Sequence, residues 1–227
     1  MREVIISSDV SRKFPGIKIA YLYVYDVKTG ETSHALETIK REVEKEVRDK
    51  FTFSNLLEDK NIGSWNRLFS QSGLDTKIVQ PAQEALVRRI LRGKSIPRIN
   101  NIVDCANIIA AKCGVPCGAF DLDKIEGNIV LRLAMEGESI LPLFEDKYET
   151  VPVGEIVYAD DVRIFSRYSK DSDITKITSA TINVFFVIDG TAEVDETEIK
   201  TYRDFLADLV KKACDGIPTM EEGYIAG

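Results

Sequence analysis

An α+β fold is what this sequence predicts, and three observations carry that reading. Asn101 to Cys113 has helical spacing yet is apolar on nearly every face (Ile102, Val103, Cys105, Ala106, Ile108, Ile109, Ala110, Ala111), which marks a helix buried among other elements. From Ile129 to Ile188 the pattern changes to short runs that alternate or stay apolar between Gly, Pro and Asp turns, as strands do. The other helical segments stand apart from those strands, which speaks against a regular βαβ array.

The elements follow in chain order. Val4 to Ser7 and Ile17 to Val27 read as strands, the second setting Tyr21, Tyr23 and Tyr25 against Leu22 and Val24. Thr32 or Ser33 caps a helix that runs to Lys50. Its mixed Glu37, Lys40, Arg41, Glu44, Lys45 and Arg48 suggest a surface helix with pairs at three- and four-residue spacing. Trp65 and Phe69, four apart, anchor a short helix by packing. Pro81 starts a helix over Ala82 to Arg92 that turns Ala85, Leu86, Val87 and Ile90 inward, and Gly93 stops it. Strands are expected at Ile129 to Leu133, Glu155 to Tyr158, Arg163 to Phe165 and Thr181 to Ile188. Thr197 is expected to cap a last helix that reaches Cys214, with Phe205, Leu206, Leu209 and Val210 as its core stripe.

Composition narrows the function classes. The chain has 227 residues, 44% of them hydrophobic and 30% charged, an ordinary globular balance. No apolar run approaches the roughly 18 residues of a membrane span, and MREVIISSDV lacks the basic-then-apolar layout of a signal peptide. Cys105, Cys113, Cys117 and Cys214 do not show zinc-site spacing and read as reduced, buried thiols of a cytoplasmic protein. The net charge of −7 argues against a protein that grips long nucleic acid such as DNA, while leaving room for one that holds a single RNA end. Basic residues do cluster, at Arg88 to Arg98 and at Arg163 to Lys176; a solvated face explains such clusters as well as an RNA contact does. With no heptads or extended apolar stripe, a monomer is the default.

The stretch from Pro97 to Asp121 is the richest. Asp104 and Asn107 interrupt the buried helix three residues apart, on one face. Buried polar groups need partners, so this face is either a structural hydrogen-bond network or a pocket wall that handles a polar ligand. Arg98, Asn100, Asn101, Val103, Asp104, Asn107, Gly114, Pro116 and Ala119-Phe120-Asp121 together resemble the aminoacyl-editing module of the phenylalanyl-tRNA synthetase beta subunit. Further pieces continue the resemblance in order: Gly127, Ile129, Val130, Arg132, Gly137-Glu138, Gly154 to Val157, Asp160, and Asp171 to Asn183. The match runs from about Arg88 to Asp189. Trp65 and the helix from Glu84 to Lys94 are more similar to free-standing relatives of that module.

The resemblance implies a three-layer β/β/α sandwich with the pocket between sheet and helix. It also implies an editing-module-like domain over residues 96–227, with residues 1–95 packed on it as an extension of one body. The implied partner is the tRNA acceptor end or an aminoacyl ester, and the implied activity is hydrolysis of a mischarged ester in trans. The alternatives are a non-catalytic module that binds a tRNA end or an amino acid, and a small-molecule enzyme on the same scaffold. Asn107 is the candidate to orient the amino acid or water, and Asp104 and Glu138 to hold an α-ammonium group. Thr178, Thr181 and Asn183, expected on one strand, are candidates for the terminal adenosine; cross-strand hydrogen bonding explains them equally well. Arg98, Arg167 and Lys176 are the candidate RNA contacts.

No cofactor or metal is expected. The single histidine, His34, lies at the start of the surface helix, far from the resembling region, which speaks against a His-based nucleophilic mechanism. There is no GxGxxG or GxxxxGK[ST] element. The pairs Asp160-Asp161 and Asp171/Asp173 suit turns better than a divalent ion. An ester with a ribose leaving group needs only a positioned water and a polarised carbonyl. The chain departs from the synthetase pattern in two places: Ala106 stands where that module has Thr, and Gly118 where it has His. Losing a hydroxyl and an imidazole removes groups that would hydrogen-bond a phenol, so tyrosine should not be strongly favoured.

Overall fold

The computed structural model describes residues 2–74, 76, 79–213 and 219–227. The elements are β1 (Val4–Ile6), α1 (Ser8–Lys13), β2 (Lys18–Tyr25), α2 (His34–Lys50), α3 (Lys60–Gln71), α4 (Ala82–Leu91), α5 (Asn101–Cys113), β3 (Cys117–Asp121), β4 (Ile129–Leu133), β5 (Ser139–Ile140), β6 (Glu149–Thr150), β7 (Ile156–Ala159), β8 (Ile164–Arg167), β9 (Lys170–Asp171), β10 (Val184–Gly190), α6 (Glu196–Ala213) and β11 (Thr219–Ala226). Three layers result. Helices α2, α4, α5 and α6 cover one face of an antiparallel sheet ordered β11-β2-β10-β3, and the other face packs on a sheet ordered β1-β4-β7-β8-β9. This is the α+β class expected from the sequence, in the β/β/α layering that the resemblance implies.

Strand alternation builds both cores. On β10, Val184, Phe186 and Ile188 join the helix-side core, whereas Phe185 and Val187 join the core between the sheets. On β7, Ile156 and Tyr158 face that same inter-sheet core, while Val157 and Ala159 face a small outer cluster with Ile140 and Val151 of the β5–β6 hairpin region. A two-residue repeat with both faces buried explains why β10 reads as continuously apolar. Segment 1–95 supplies β2, the strand between β10 and β11, and β1, which pairs parallel with β4.

Local signals account for the helix ends. Asn100 caps α5 by accepting from the amides of Ile102 and Val103, and Gly114 ends it at φ +69°, where only glycine is unstrained. Asp59 caps α3, and Trp65 and Phe69 on that helix are fully buried anchors as expected.

Several expectations are corrected. Asp195 rather than Thr197 caps α6, its carboxylate accepting from the Glu198 amide; the expected end at Cys214 lies outside the described residues. Helix α2 is not a pure surface helix, because Lys40 and Glu44 are buried beneath the segment before α5. On α4, Ala85 faces solvent and Gln83 is buried instead. Thr178, Thr181 and Asn183 precede β10 in a turn, in which the Thr181 amide donates to the Thr178 carbonyl. Their polar spacing mimics a strand but serves local hydrogen bonds.

Candidate functional site

A cavity of about 380 Å³ opens between the two sheets. The resemblance places a pocket between sheet and helix; here the cavity lies one layer away, because Gly118, Phe120, Val187 and Asp189 turn towards β7 and β8 rather than towards α5. Asp189 continues the inter-sheet row begun by Phe185 and Val187, a place where the alternation calls for an apolar side chain. It is only 2% exposed. Tyr158 on β7 donates its hydroxyl to Asp189 Oδ1. The Tyr168 hydroxyl faces the same carboxylate, is buried, and closes no hydrogen bond of normal geometry.

Burial dominates the electrostatics of this floor. It raises the Asp189 carboxyl from an ordinary 3.8 to about 7, with the two tyrosine hydroxyls pulling the other way. Burial, and then the Asp189 charge, push both tyrosine hydroxyls well above their usual value. Asp171, also on the cavity wall, is raised by burial and partly offset by the Ser166 hydroxyl, which donates to it at 2.6 Å. Cys117 lines the same space, but burial holds its thiol protonated, so it is a poor nucleophile. The wall's cations are already engaged: Arg167 donates two hydrogen bonds to Glu155, at 2.8 and 2.7 Å, and Lys170 pairs with Glu149 at 2.5 Å.

Gly118 is held to glycine by its neighbour. A Cβ there would meet Phe120 Cε2 at 2.7 Å and Cζ at 2.9 Å. The aromatic ring of Phe120 occupies the room next to the backbone that a side chain at position 118 would need.

The remaining sequence candidates lie elsewhere. Asp104, 0% exposed, accepts from Lys40 Nζ at 2.9 Å, from Thr32 Oγ1 at 2.8 Å and from the Ile99 amide at 3.0 Å. That set joins α2, α5 and the segment leading into α5. Ala106 is buried in the helix-side core. Asn107 is half-buried on the outer stripe of α5 beside Val103, away from the cavity lining. Glu138 takes a fork of hydrogen bonds from Arg132, at 2.8 and 2.5 Å, and those bonds hold its carboxyl below the usual range. It borders a separate cleft with Tyr148 and Arg163. Thr181 donates to Asp121 at 2.7 Å, and Asn183 donates to Asp123 at 2.9 Å, which ties the loop before β10 to the far end of β3.

Each of the three candidate RNA contacts sits beside carboxylates. Arg98 is 60% exposed near Glu31 and Glu37, Arg167 is half-buried against Glu155, and Lys176 pairs with Asp173 at 2.7 Å. Of the sequence candidates, the cavity brings together only Gly118 and Arg167. Asp189, Tyr158 and Tyr168 were missed; the sole signal was an acid ending an otherwise apolar strand.

Comparison with known proteins adds the following. The model of the B3/4 domain matches residues 64–215. The Phenylalanine–tRNA ligase beta subunit of Fusobacterium nucleatum is 37% identical over 108 residues, 47% of this chain and 13% of that protein. The same subunit of Chromobacterium violaceum is 43% identical over 79 residues, 35% of this chain and 10% of that protein. The chain therefore spans only a small part of the length of these relatives. An N-terminal fragment of the phenylalanyl-tRNA synthetase beta subunit from Pyrococcus horikoshii superposes with a TM-score of 0.54 at 13% identity, covering 98% of this chain and 53% of that one. At that identity the likeness speaks to the fold alone.

Proposed function

The chain belongs to the B3/4 domain family, and from that premise we propose that it acts in trans on the aminoacyl end of tRNA, hydrolysing a mischarged ester without a cofactor. The observation that carries this reading is the inter-sheet cavity: it has room for an amino-acid side chain and a polar floor set into an apolar core. The named relatives are subunits of a tRNA ligase, which supports a tRNA-linked ester as the substrate class.

The cavity dictates the style of chemistry. Its one thiol is held protonated, and the single histidine sits exposed at the start of α2. A covalent route would need an activated nucleophile. An ester with a ribose leaving group needs less: a water held near the carbonyl, and a substrate oriented by fixed dipoles. The same lack of a nucleophile, together with Gly118 in place of an imidazole, favours a second reading, a module that binds the aminoacyl end without turning it over.

Deacylation decides between them. Purified protein is incubated with a panel of mischarged and correctly charged tRNAs, beside its Asp189→Asn and Asn107→Ala variants. The proposal expects selective loss of one aminoacyl ester, abolished by Asp189→Asn and retained by Asn107→Ala. Hydrolysis at the buffer rate across the panel overturns it. Loss of turnover in Asn107→Ala alone would move the chemistry to the outer face of α5.

A further inference from the structure

We propose that the inter-sheet cavity is a primary-ammonium site, in which the Asp189 carboxylate receives the amine and the rings of Tyr158, Tyr168 and Phe120 surround it. This deepens the reading above and rests on it for the biological ligand, since an aminoacyl ester carries an α-ammonium beside its scissile carbonyl.

Charge balance is the first argument. Two carboxylates, Asp189 and Asp171, lie on the cavity wall, and their hydrogen-bonding partners are hydroxyl groups, from Tyr158 and Ser166. Among the described residues no Lys or Arg forms an ion pair with either. The basic side chains on the wall are already compensated, Arg167 by Glu155 and Lys170 by Glu149. The fixed charges around the cavity therefore sum to negative. An anion would be repelled, and a cation would complete the balance.

Geometry is the second argument. The Tyr168 hydroxyl is buried and faces Asp189 without closing a hydrogen bond of normal geometry. An ammonium group has three donors and no acceptor. It can give one hydrogen to the carboxylate and one to the tyrosine oxygen. The ring of Phe120 faces the same space and stacks on Phe185 at 6.4 Å between centroids, while Tyr158 and Tyr168 meet edge to face at 6.4 Å. Aromatic faces attract a desolvated cation.

The alternation of β10 is the third. A carboxylate in the row of Phe185 and Val187 costs stability in the empty protein unless something takes its charge. A residue kept in that position at a cost to the fold is explained by what it binds.

The test uses binding alone, so that it stands apart from hydrolysis. Alaninamide, phenylalaninamide and lysinamide are titrated into the intact chain at neutral pH and followed by NMR, beside their Nα-acetyl forms. The expected result is amine-dependent shifts for residues of β3, β8 and β10, lost on Nα-acetylation of alaninamide and phenylalaninamide. Affinity should fall at least about tenfold in Asp189→Asn, the loss of one charge-assisted contact, and by less in Tyr168→Phe. Equal binding of lysinamide and Nα-acetyl-lysinamide identifies a side-chain ammonium as the ligand; a requirement for the free α-amine identifies an aminoacyl group. Either supports the site. Binding that is indifferent to acetylation in all three pairs, or no shift from any free amine, overturns it. Should Asp189→Asn fail to fold, the acetylated pairs still decide, because they change only the ligand. Amine-dependent binding without deacylation would refute the hydrolytic reading and leave this one standing.

Discussion

Replacing Asp189 by Asn should stabilise the protein, and increasingly so as pH rises. Asn is the neutral counterpart of the protonated acid and keeps an oxygen to accept from Tyr158. In the folded chain the Asp189 carboxyl titrates at about 7 rather than at 3.8, because burial penalises its charge. For a carboxyl raised in this way the folded state binds the extra proton. Its contribution to stability is fully present below 3.8 and is lost as pH rises through about 7. At about 1.36 kcal/mol per pH unit, the full loss is roughly 4 kcal/mol, of which about 3 kcal/mol falls between about pH 5 and about pH 8. Urea unfolding, followed by the fluorescence of Trp65, which packs 4.9 Å from the Tyr168 ring, measures it for both proteins. Subtracting wild type from variant removes every other titration, including those of Glu138 and Asp173, both held low by hydrogen bonds from basic side chains. A difference that stays constant to within about 0.5 kcal/mol from about pH 5 to about pH 8 would refute a buried, uncompensated carboxylate at this position.

Three further substitutions test neighbouring statements. Lys40→Met leaves the fully buried Asp104 without its cation and should cost about 3–5 kcal/mol, read by the same unfolding assay. Gly118→Ala forces the Phe120 ring aside; it should cost about 1–3 kcal/mol, and weakened binding of the amine probes should accompany it. Asn107→Ala, on the half-exposed stripe of α5, should change stability by no more than about 0.5 kcal/mol, so a larger loss would reveal a structural network there.

The helices and most strands were legible because they depend on periodicity, whereas the layering came from the family resemblance. The all-round apolar pattern of α5 announced a helix buried among other elements, and the runs at β4, β7, β8 and β10 announced strands. Positions fixed by distant partners were not legible. The burial of Asp104 could be read from its own helix, but its cation, Lys40, comes from 64 residues earlier and looked like a member of a solvated face. Whether Asp104 pins a helix or lines a pocket depends on that partner. Strand β11 was missed because Thr219–Ala226 carries acids and a glycine and lies at a sheet edge, with only β2 beside it. The loop from Thr178 to Asn183 was mistaken for strand because threonine and asparagine at alternate positions serve turns as readily as sheets.

The cavity joins both lessons. In the sequence, Gly118 stands where the resembling module has an imidazole, and the expectation is a pocket that persists but does not strongly favour tyrosine. In the structure the room beside Gly118 is filled by Phe120, two residues along the same strand, and the cavity's buried acid, Asp189, stands on the next strand. A donor-rich wall suits a phenol or a carbonyl, whereas a buried carboxylate ringed by aromatics suits a cation. The glycine and the acid are two parts of one cavity wall. A search of the sequence for the missing histidine finds only the first part, because Tyr158 and Tyr168, which hold the acid in place, lie on the other sheet and its following turn.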